Sequence, residues 1–255
     1  MTRRRRKGCR FRFFLLMLVC VVLVTGIYRF TMQPADYAVS DLMEMGYPES
    51  LARLYVRNEE AREFVLAYDS SKGSSDNIDV TKDVNQGEIP FFLQWDERWG
   101  YAYYGDDFMA VEGCGPTALS MVYCGLTGDS SMHPLAMAKL AEESGYYVHG
   151  SGSSWSMMAD LALTLGLEVR EVYFDRNSIL NELLAGNPII CIVGPGDFTT
   201  SGHFIVLTDV DEEGYVTVHD PNSISNSKKK WDIDTIMSQT ENLWGYRNSL
   251  SNTLP

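Results

Sequence analysis

The stretch Glu112-Gly113-Cys114-Gly115-Pro116-Thr117-Ala118-Leu119-Ser120-Met121 constrains this chain more than any other. A cysteine stands between two glycines and is followed at once by proline and by apolar residues at helical spacing (Ala118, Leu119, Met121, Val122). Proline is favoured in the first turn of a helix, where a backbone N–H has no partner to lose. The pattern therefore predicts a helix that opens at or just after Cys114. Gly113 and Gly115 permit a sharp turn and leave room for another molecule to approach. At a helix N-terminus the positive end of the macrodipole favours a thiolate over a thiol. A lone free cysteine is most often a small buried hydrophobe. Reading Cys114 as a nucleophile therefore depends on partners elsewhere.

Two later stretches supply them. Gly202-His203-Phe204-Ile205-Val206-Leu207-Thr208 sets a histidine at the start of a β-branched strand, and His219-Asp220-Pro221-Asn222 closes the next strand. Asp211-Glu212-Glu213-Gly214 between them reads as a turn, so the two strands form a hairpin. With the turn centred on Glu212 and Glu213, Ile205 faces Asp220 and His203 faces Asn222. His203 and Asp220 are then diagonal neighbours at the open end of the hairpin. A register slip of a residue or two gives Asn222 the same place, so both Asp220 and Asn222 stand as orienters of His203. An imidazolium beside a thiol makes a reactive thiolate, and a carboxylate behind the imidazole fixes its tautomer. An oxyanion needs donors, which the Cys114 backbone N–H and a side-chain amide such as Gln94 could supply.

The order Gln, Cys, His, then Asp or Asn is that of papain-like cysteine peptidases. Pro90 with Gln94 and Trp99, Gly113-Cys114-Gly115-Pro116-Thr117, Gly202-His203-Phe204-Ile205-Val206 and Asp220-Pro221 together resemble the stand-alone C39-like cysteine peptidase family. That family is a papain-like-fold relative of the leader-cleaving peptidase domains of bacteriocin exporters. The resemblance runs from about Ile89 to Trp244. It implies a papain-like fold and hydrolysis of peptide bonds through a thioester acyl-enzyme, without cofactor or metal. It also implies Cys114 as nucleophile, His203 as general base, Asp220 as its orienter and Gln94 in the oxyanion hole. One departure stands out. In the exporter-linked relatives the glutamine lies only a few residues before the cysteine, whereas here the interval is 20 residues. The chain has no Walker-type glycine-rich loop, so ATP is not an expected partner, and double-glycine leader processing does not carry over.

Charge divides the chain in two. Of 21 basic residues eight lie within the first 30 positions, so 13 face all 34 acidic residues in the remainder. So acidic a body repels phosphate backbones, which argues against nucleic acid as a partner. The basic cluster heads an uncharged run from Phe13 to Tyr28, 16 residues rich in leucine and valine. As a helix this run rises about 24 Å, somewhat short of the roughly 30 Å hydrocarbon core. Arg10, Arg12 and Arg29 can snorkel to close the gap. The run therefore reads as a single-pass membrane anchor, with the N-terminus cytoplasmic and the acidic body outside. The rival is a secretory signal peptide, which would leave a secreted protein. Val24-Thr25-Gly26-Ile27-Tyr28-Arg29 offers no small-x-small cleavage site, which favours the anchor.

The organisation expected is a basic tail and anchor over 1–30, a helical spacer and flexible linker over 31–88, and the peptidase domain over 89–250. The spacer carries a helix after Pro48 and a second after Asn58, and the Ser-Gly-Asp-Asn composition from Ser70 reads as linker. In the domain, helices over Pro134–Glu143, from Ser153 or Ser154 to Leu165, and over Ile179–Ala185 precede strands over 189–193, 203–210 and 215–220. Helices first and an antiparallel meander after them indicate an α+β domain. Cys124 and Cys191 read as two buried thiols and leave Cys114 over. The histidines are not at zinc-site spacing, and Asp209–Gly214 lacks the later glutamate of a calcium loop. Two other functions share these features: a peptidoglycan amidase or endopeptidase with the same thiol chemistry, and a catalytically silent surface binding module.

Overall fold

The computed structural model describes residues 36–69, 77–170 and 172–248. The expected anchor, Phe13 to Tyr28, lies outside them, as do Cys9 and Cys20. Among the described residues no helix is long and apolar enough to cross a membrane. From Val39 onward the described residues form one compact unit.

The helix Cys114–Thr127 runs through the middle of this unit and is buried on nearly every side, as a helix apolar all round should be. Its first backbone bond joins the Thr117 N–H to the Gly113 carbonyl at 3.0 Å. Pro116 therefore occupies a position whose N–H has no acceptor within the helix. Gly128, at φ 75°, ends the helix by donating to the Cys124 carbonyl. The glycines flanking Cys114 serve a different purpose from the one expected. Gly113 has an ordinary φ of −83°. A Cβ there would meet the Met109 carbonyl oxygen at 2.5 Å, and one on Gly115 would meet the Ser153 hydroxyl at 2.6 Å. They admit the chain's own backbone and side chains rather than a second molecule.

Strands β1 (Leu167–Arg170), β2 (Ile189–Val193), β3 (His203–Val210), β4 (Tyr215–His219), β5 (Lys230–Asp232) and β6 (Thr240–Asn248) form one antiparallel sheet, in the order β1-β6-β2-β3-β4-β5. The mixed architecture of helices and antiparallel sheet is the α+β arrangement read from the sequence. All five residues of β2 are buried, and strict alternation shares them between two cores. Ile190 and Ile192, with Phe204 and Val206 of β3, join the core built on the Cys114 helix. Ile189, Cys191 and Val193, with Ile205 and Leu207, join a second core with Trp231, Ile233 and Ile236. Covered on both faces, the centre of the sheet reads as an unbroken apolar run. Along the hairpin Val206 pairs with His219, and the register shifts between Leu207 and Asp209 before Val210 meets Val216. The irregularity lies toward the turn, so the register expected at the open end is kept.

Residues 39–69, expected as a spacer, are part of this unit. Helices Val39–Glu44, Glu49–Arg57 and Arg62–Leu66 bury Leu42, Leu51, Leu54, Tyr55, Phe64 and Val65. The Phe64 ring stacks on Tyr101 with centroids 4.2 Å apart, and the Tyr101 hydroxyl donates to the Phe64 carbonyl. The described end of the expected linker, 77–88, is also held. Val80 is buried, Asp83 pairs with Arg98, and the Gly87 N–H donates to the Gly125 carbonyl. Two further readings are corrected. Neither Ser153 nor Ser154 caps the helix that follows them, which spans Met157–Thr164 behind Ser156; the Ser153 hydroxyl instead shares a hydrogen bond with Tyr104. Strand β6, absent from the strands expected from the sequence, lies inside the sheet between β1 and β2.

Candidate active site

Cys114 sits at the first position of its helix, in a cleft of about 350 Å³ walled by Gln94, Val111, the loop from Gly196 to Gly202, His203, Asn222 and Arg57. Of the three free thiols among the described residues it is the one with access to solvent; Cys124 and Cys191 are buried. Burial pushes both of those up to about 12, which makes them inert at neutral pH. A larger cavity of about 720 Å³ lies elsewhere and touches none of Cys114, His203, Asp220 and Gln94.

His203 opens β3 and is 6% exposed. Its Nε2 lies 2.7 Å from the Asp220 Oδ1. The ring also shares a hydrogen bond with Cys114, which leaves Nδ1 as the nitrogen facing the sulfur. Two effects oppose each other on this histidine. Desolvation favours the neutral ring, and the Asp220 charge with its hydrogen bond outweighs it, pushing His203 up to about 10. Cys114 responds in the opposite sense. Burial would raise its pKa, but the His203 hydrogen bond and charge, with N–H donors from Phe204 and Gly115, hold it below the ordinary thiol value. Both shifts favour a thiolate–imidazolium pair over the neutral thiol and imidazole.

Asp220 is 1% exposed, and each of its oxygens has a donor. Oδ1 accepts from His203 and from the Asn222 backbone N–H at 2.8 Å, and Oδ2 accepts from the Asn226 amide at 2.8 Å. A carboxylate held by three donors is fixed in orientation. Between the two orienters left open by the sequence, the geometry puts Asp220 on His203. Asn222 turns the other way: its carbonyl and side-chain oxygen accept from Asn58, and its carbonyl also accepts from the Trp95 indole.

Gln94 reaches the same cleft, tied to the Asp220 loop by its backbone N–H, which donates to the Pro221 carbonyl at 2.7 Å. Its side-chain amide donates to the Ala110 carbonyl at 2.9 Å and to the Val111 carbonyl at 3.3 Å, while Oε1 is buried without a partner. The separation of 20 residues from Cys114 is spanned by the turns and short strands over 95–108 and by the helix Met109–Glu112. Gln94, Cys114 and His203 therefore line one cleft, with Asp220 buried behind His203.

Four residues that sequence reasoning did not single out also shape it. Asn226 holds Asp220; Asn58 and Glu60 hold the loop and helix after it; Arg57 contributes to the cleft wall. None carries a motif. Arg57 ends a helix, where a cation complements the dipole, and nothing in its neighbourhood of sequence points toward a residue 57 positions away. Among the described residues no cluster of His, Cys, Asp and Glu could hold a metal ion.

Among solved structures, the peptidase domain of Streptococcus ComA, described as a bi-functional ABC transporter involved in a quorum-sensing pathway, aligns at 19% identity. The alignment covers 54% of this chain and 93% of that one, with a TM-score of 0.42, too loose a superposition to bear on function. No curated protein matches the chain. The Peptidase_C39 like family matches residues 86–252, more than half of the chain and a span that contains Gln94, Cys114, His203 and Asp220. The chain belongs to the Peptidase_C39 like family.

Proposed function

We propose that this chain is a membrane-anchored, outward-facing cysteine peptidase in which Cys114, His203 and Asp220 form the catalytic triad. The observation that carries the reading is the His203 ring, bonded on one edge to a buried, fully engaged carboxylate and on the other to the half-buried thiol of Cys114. The Cys114 thiolate attacks the peptide carbonyl carbon, and the carbonyl electrons move onto oxygen. Donors for that oxyanion are the Cys114 backbone N–H, unbonded at a helix start, and the Gln94 amide, which would release its longer contact to Val111. The imidazolium then protonates the departing amine and a thioester remains. Water, deprotonated by the neutral imidazole, attacks the thioester; the new carboxylic acid leaves and the thiolate–imidazolium pair returns. Asp220 keeps Nδ1 toward sulfur throughout and stabilises the imidazolium. The anchor is the part of the proposal supported by the Phe13–Tyr28 run and its flanking arginines.

Thiol labelling tests the chemistry. Cys114 should react with iodoacetamide rapidly well below pH 8, and His203→Ala should lose that early reactivity. Labelling that rises only near pH 8.5 in both proteins would leave a structural thiol and the silent binding module. Cys114→Ala should abolish turnover of a peptide pool, and His203→Ala should lower it by roughly 10²–10⁴-fold. Turnover of muropeptides and not of linear peptides would move the substrate to the cell wall.

A further inference from the structure

One wall of the cleft comes from outside the span matched by the family. Arg57 is the last residue of the helix Glu49–Arg57, and it lines the cavity that holds Cys114, Gln94 and His203. The match begins at residue 86. The position of Arg57 is nevertheless built. The residue after it, Asn58, donates through its amide to the Asn222 carbonyl at 2.8 Å and to the Asn222 side chain at 3.0 Å. Three residues on, Glu60 accepts from the Ser223 hydroxyl and from the Ile224 and Ser225 N–H groups. The end of this helix is therefore fastened to the loop that carries Asp220.

The guanidinium itself has no hydrogen bond or ion pair within the described residues, in contrast to Arg98, which is bound to two aspartates at 2.6 and 2.9 Å. Although Arg57 is exposed as a whole, desolvation lowers its pKa, opposed by the negative fields of Asp107 and Cys114. The other charged side chain on the cleft wall besides His203 is Asp197, whose carboxylate already accepts from the Gln239 amide at 2.6 Å. A planar fork of donors beside a nucleophile, unsatisfied and partly desolvated, matches one ligand chemistry above others. Carboxylates take a guanidinium bidentately, and such charge-assisted pairs are roughly twice as strong as neutral hydrogen bonds.

We propose that Arg57 is a specificity-determining residue that receives a carboxylate of the substrate in the Cys114 cleft. The carboxylate can come from an acidic side chain near the scissile bond or from the C-terminus of the peptide. This inference rests on the peptidase reading.

The test uses the full chain and paired peptides. Glutamate is exchanged for glutamine at each of three positions on either side of the cut, and each peptide is made as free acid and as C-terminal amide. The wild type should favour one carboxylate member over its neutral partner by about tenfold in kcat/KM, mostly through KM. Arg57→Ala should bring that ratio near one, and Arg57→Lys, which keeps the charge and loses the fork, should retain part of it. A preference in the side-chain pairs identifies an acidic residue, and one in the acid–amide pairs a terminal carboxylate. A wild type without preference, or a ratio unchanged in Arg57→Ala, overturns the inference while the peptidase reading stands. If no peptide is cut, the peptidase reading falls, and alkylation decides Arg57 separately. The ratio of iodoacetate to iodoacetamide reactivity at Cys114 should drop several-fold in Arg57→Ala; an unchanged ratio overturns the proposal. Because any change in thiolate population affects both reagents alike, the ratio reads the interaction with the carboxylate, and Arg57→Lys, which keeps the charge, separates the fork from the charge.

Discussion

On His203, burial alone favours the neutral ring and the neighbouring carboxylate favours the cation. The Asp220 carboxylate reverses that preference and pushes the imidazole up to about 10, against about 6.5 in an unfolded chain. A group whose folded pKa is raised adds stability that is fully present below its unfolded value and is lost as pH rises through the folded one. The contribution of His203 should therefore be complete at pH 6, still large at pH 8, and gone above pH 10. Cys114 runs the other way: with its folded pKa lowered, its contribution is present above the unfolded thiol pKa and fades as pH falls through the folded one. Thermal unfolding of Cys114→Ala and Cys114→Ala/His203→Gln between pH 6 and 10, with no thiol to titrate, separates the histidine part. The difference in Tm should shrink steadily toward pH 10. A difference that stays constant over this range would mean that His203 is neutral in the folded protein.

The elements that hold this pair in place are short, and part of their restraint comes from one carboxylate far away in sequence. The helix Ile224–Lys228 has five residues, too few to persist in isolation. Ser223 caps it by accepting from the Asn226 N–H, and Glu60 adds a charged cap by accepting from Ile224, Ser225 and the Ser223 hydroxyl. Burial opposes ionisation of Glu60, but these hydrogen bonds outweigh it and lower its pKa. A lowered carboxyl pKa adds stability above the unfolded value of about 4.3, lost as pH falls through the folded value. By the loss of a helix cap and its hydrogen bonds, Glu60→Gln should cost about 1 kcal/mol at pH 7, and the gap should narrow as pH falls below the unfolded carboxyl value. Urea denaturation at pH 7 and pH 3.5 checks both halves, and an equal gap at the two pH values would refute the charged cap. Restraints of this kind were not legible in the sequence. The Cys114 helix, the apolar β2 and the hairpin register were, because each follows from a local period or turn, and with them came the meeting of Cys114, His203 and Asp220. Glu60 and Asn58 act across more than 160 residues, and β6, with Glu241, Asn242 and Arg247 interrupting its apolar positions, has no clean alternation to announce it.

At the scale of the whole molecule the question is where the folding unit begins. The family match starts at residue 86, but the compact unit starts at Val39. Leu51, Leu54 and Tyr55 are fully buried, as is Val65, and Phe64 is 4% exposed. Phe64 also lies over Gly100, where a Cβ would meet its ring at 2.8 Å, so ring and glycine are fitted to each other. Each such side chain contributes about 1.5–3 kcal/mol by leaving water, and five of them together rival the 5–15 kcal/mol by which a domain is stable at all. A chain from 77 to 255 should therefore fail to fold cooperatively, whereas one from 36 to 255 should show a single thermal transition. The milder variant Phe64→Ala should cost about 3–5 kcal/mol and lower Tm without changing the pH profile of Cys114 labelling, since Phe64 touches none of the triad. Circular dichroism on the three proteins distinguishes the outcomes. If the 77–255 chain melts at the temperature of the longer one, the helices over 39–69 are a removable appendage, and the cleft wall bearing Arg57 is not part of the fold that holds the triad. If it does not fold, the residues before the family match are what complete both the core and the cleft.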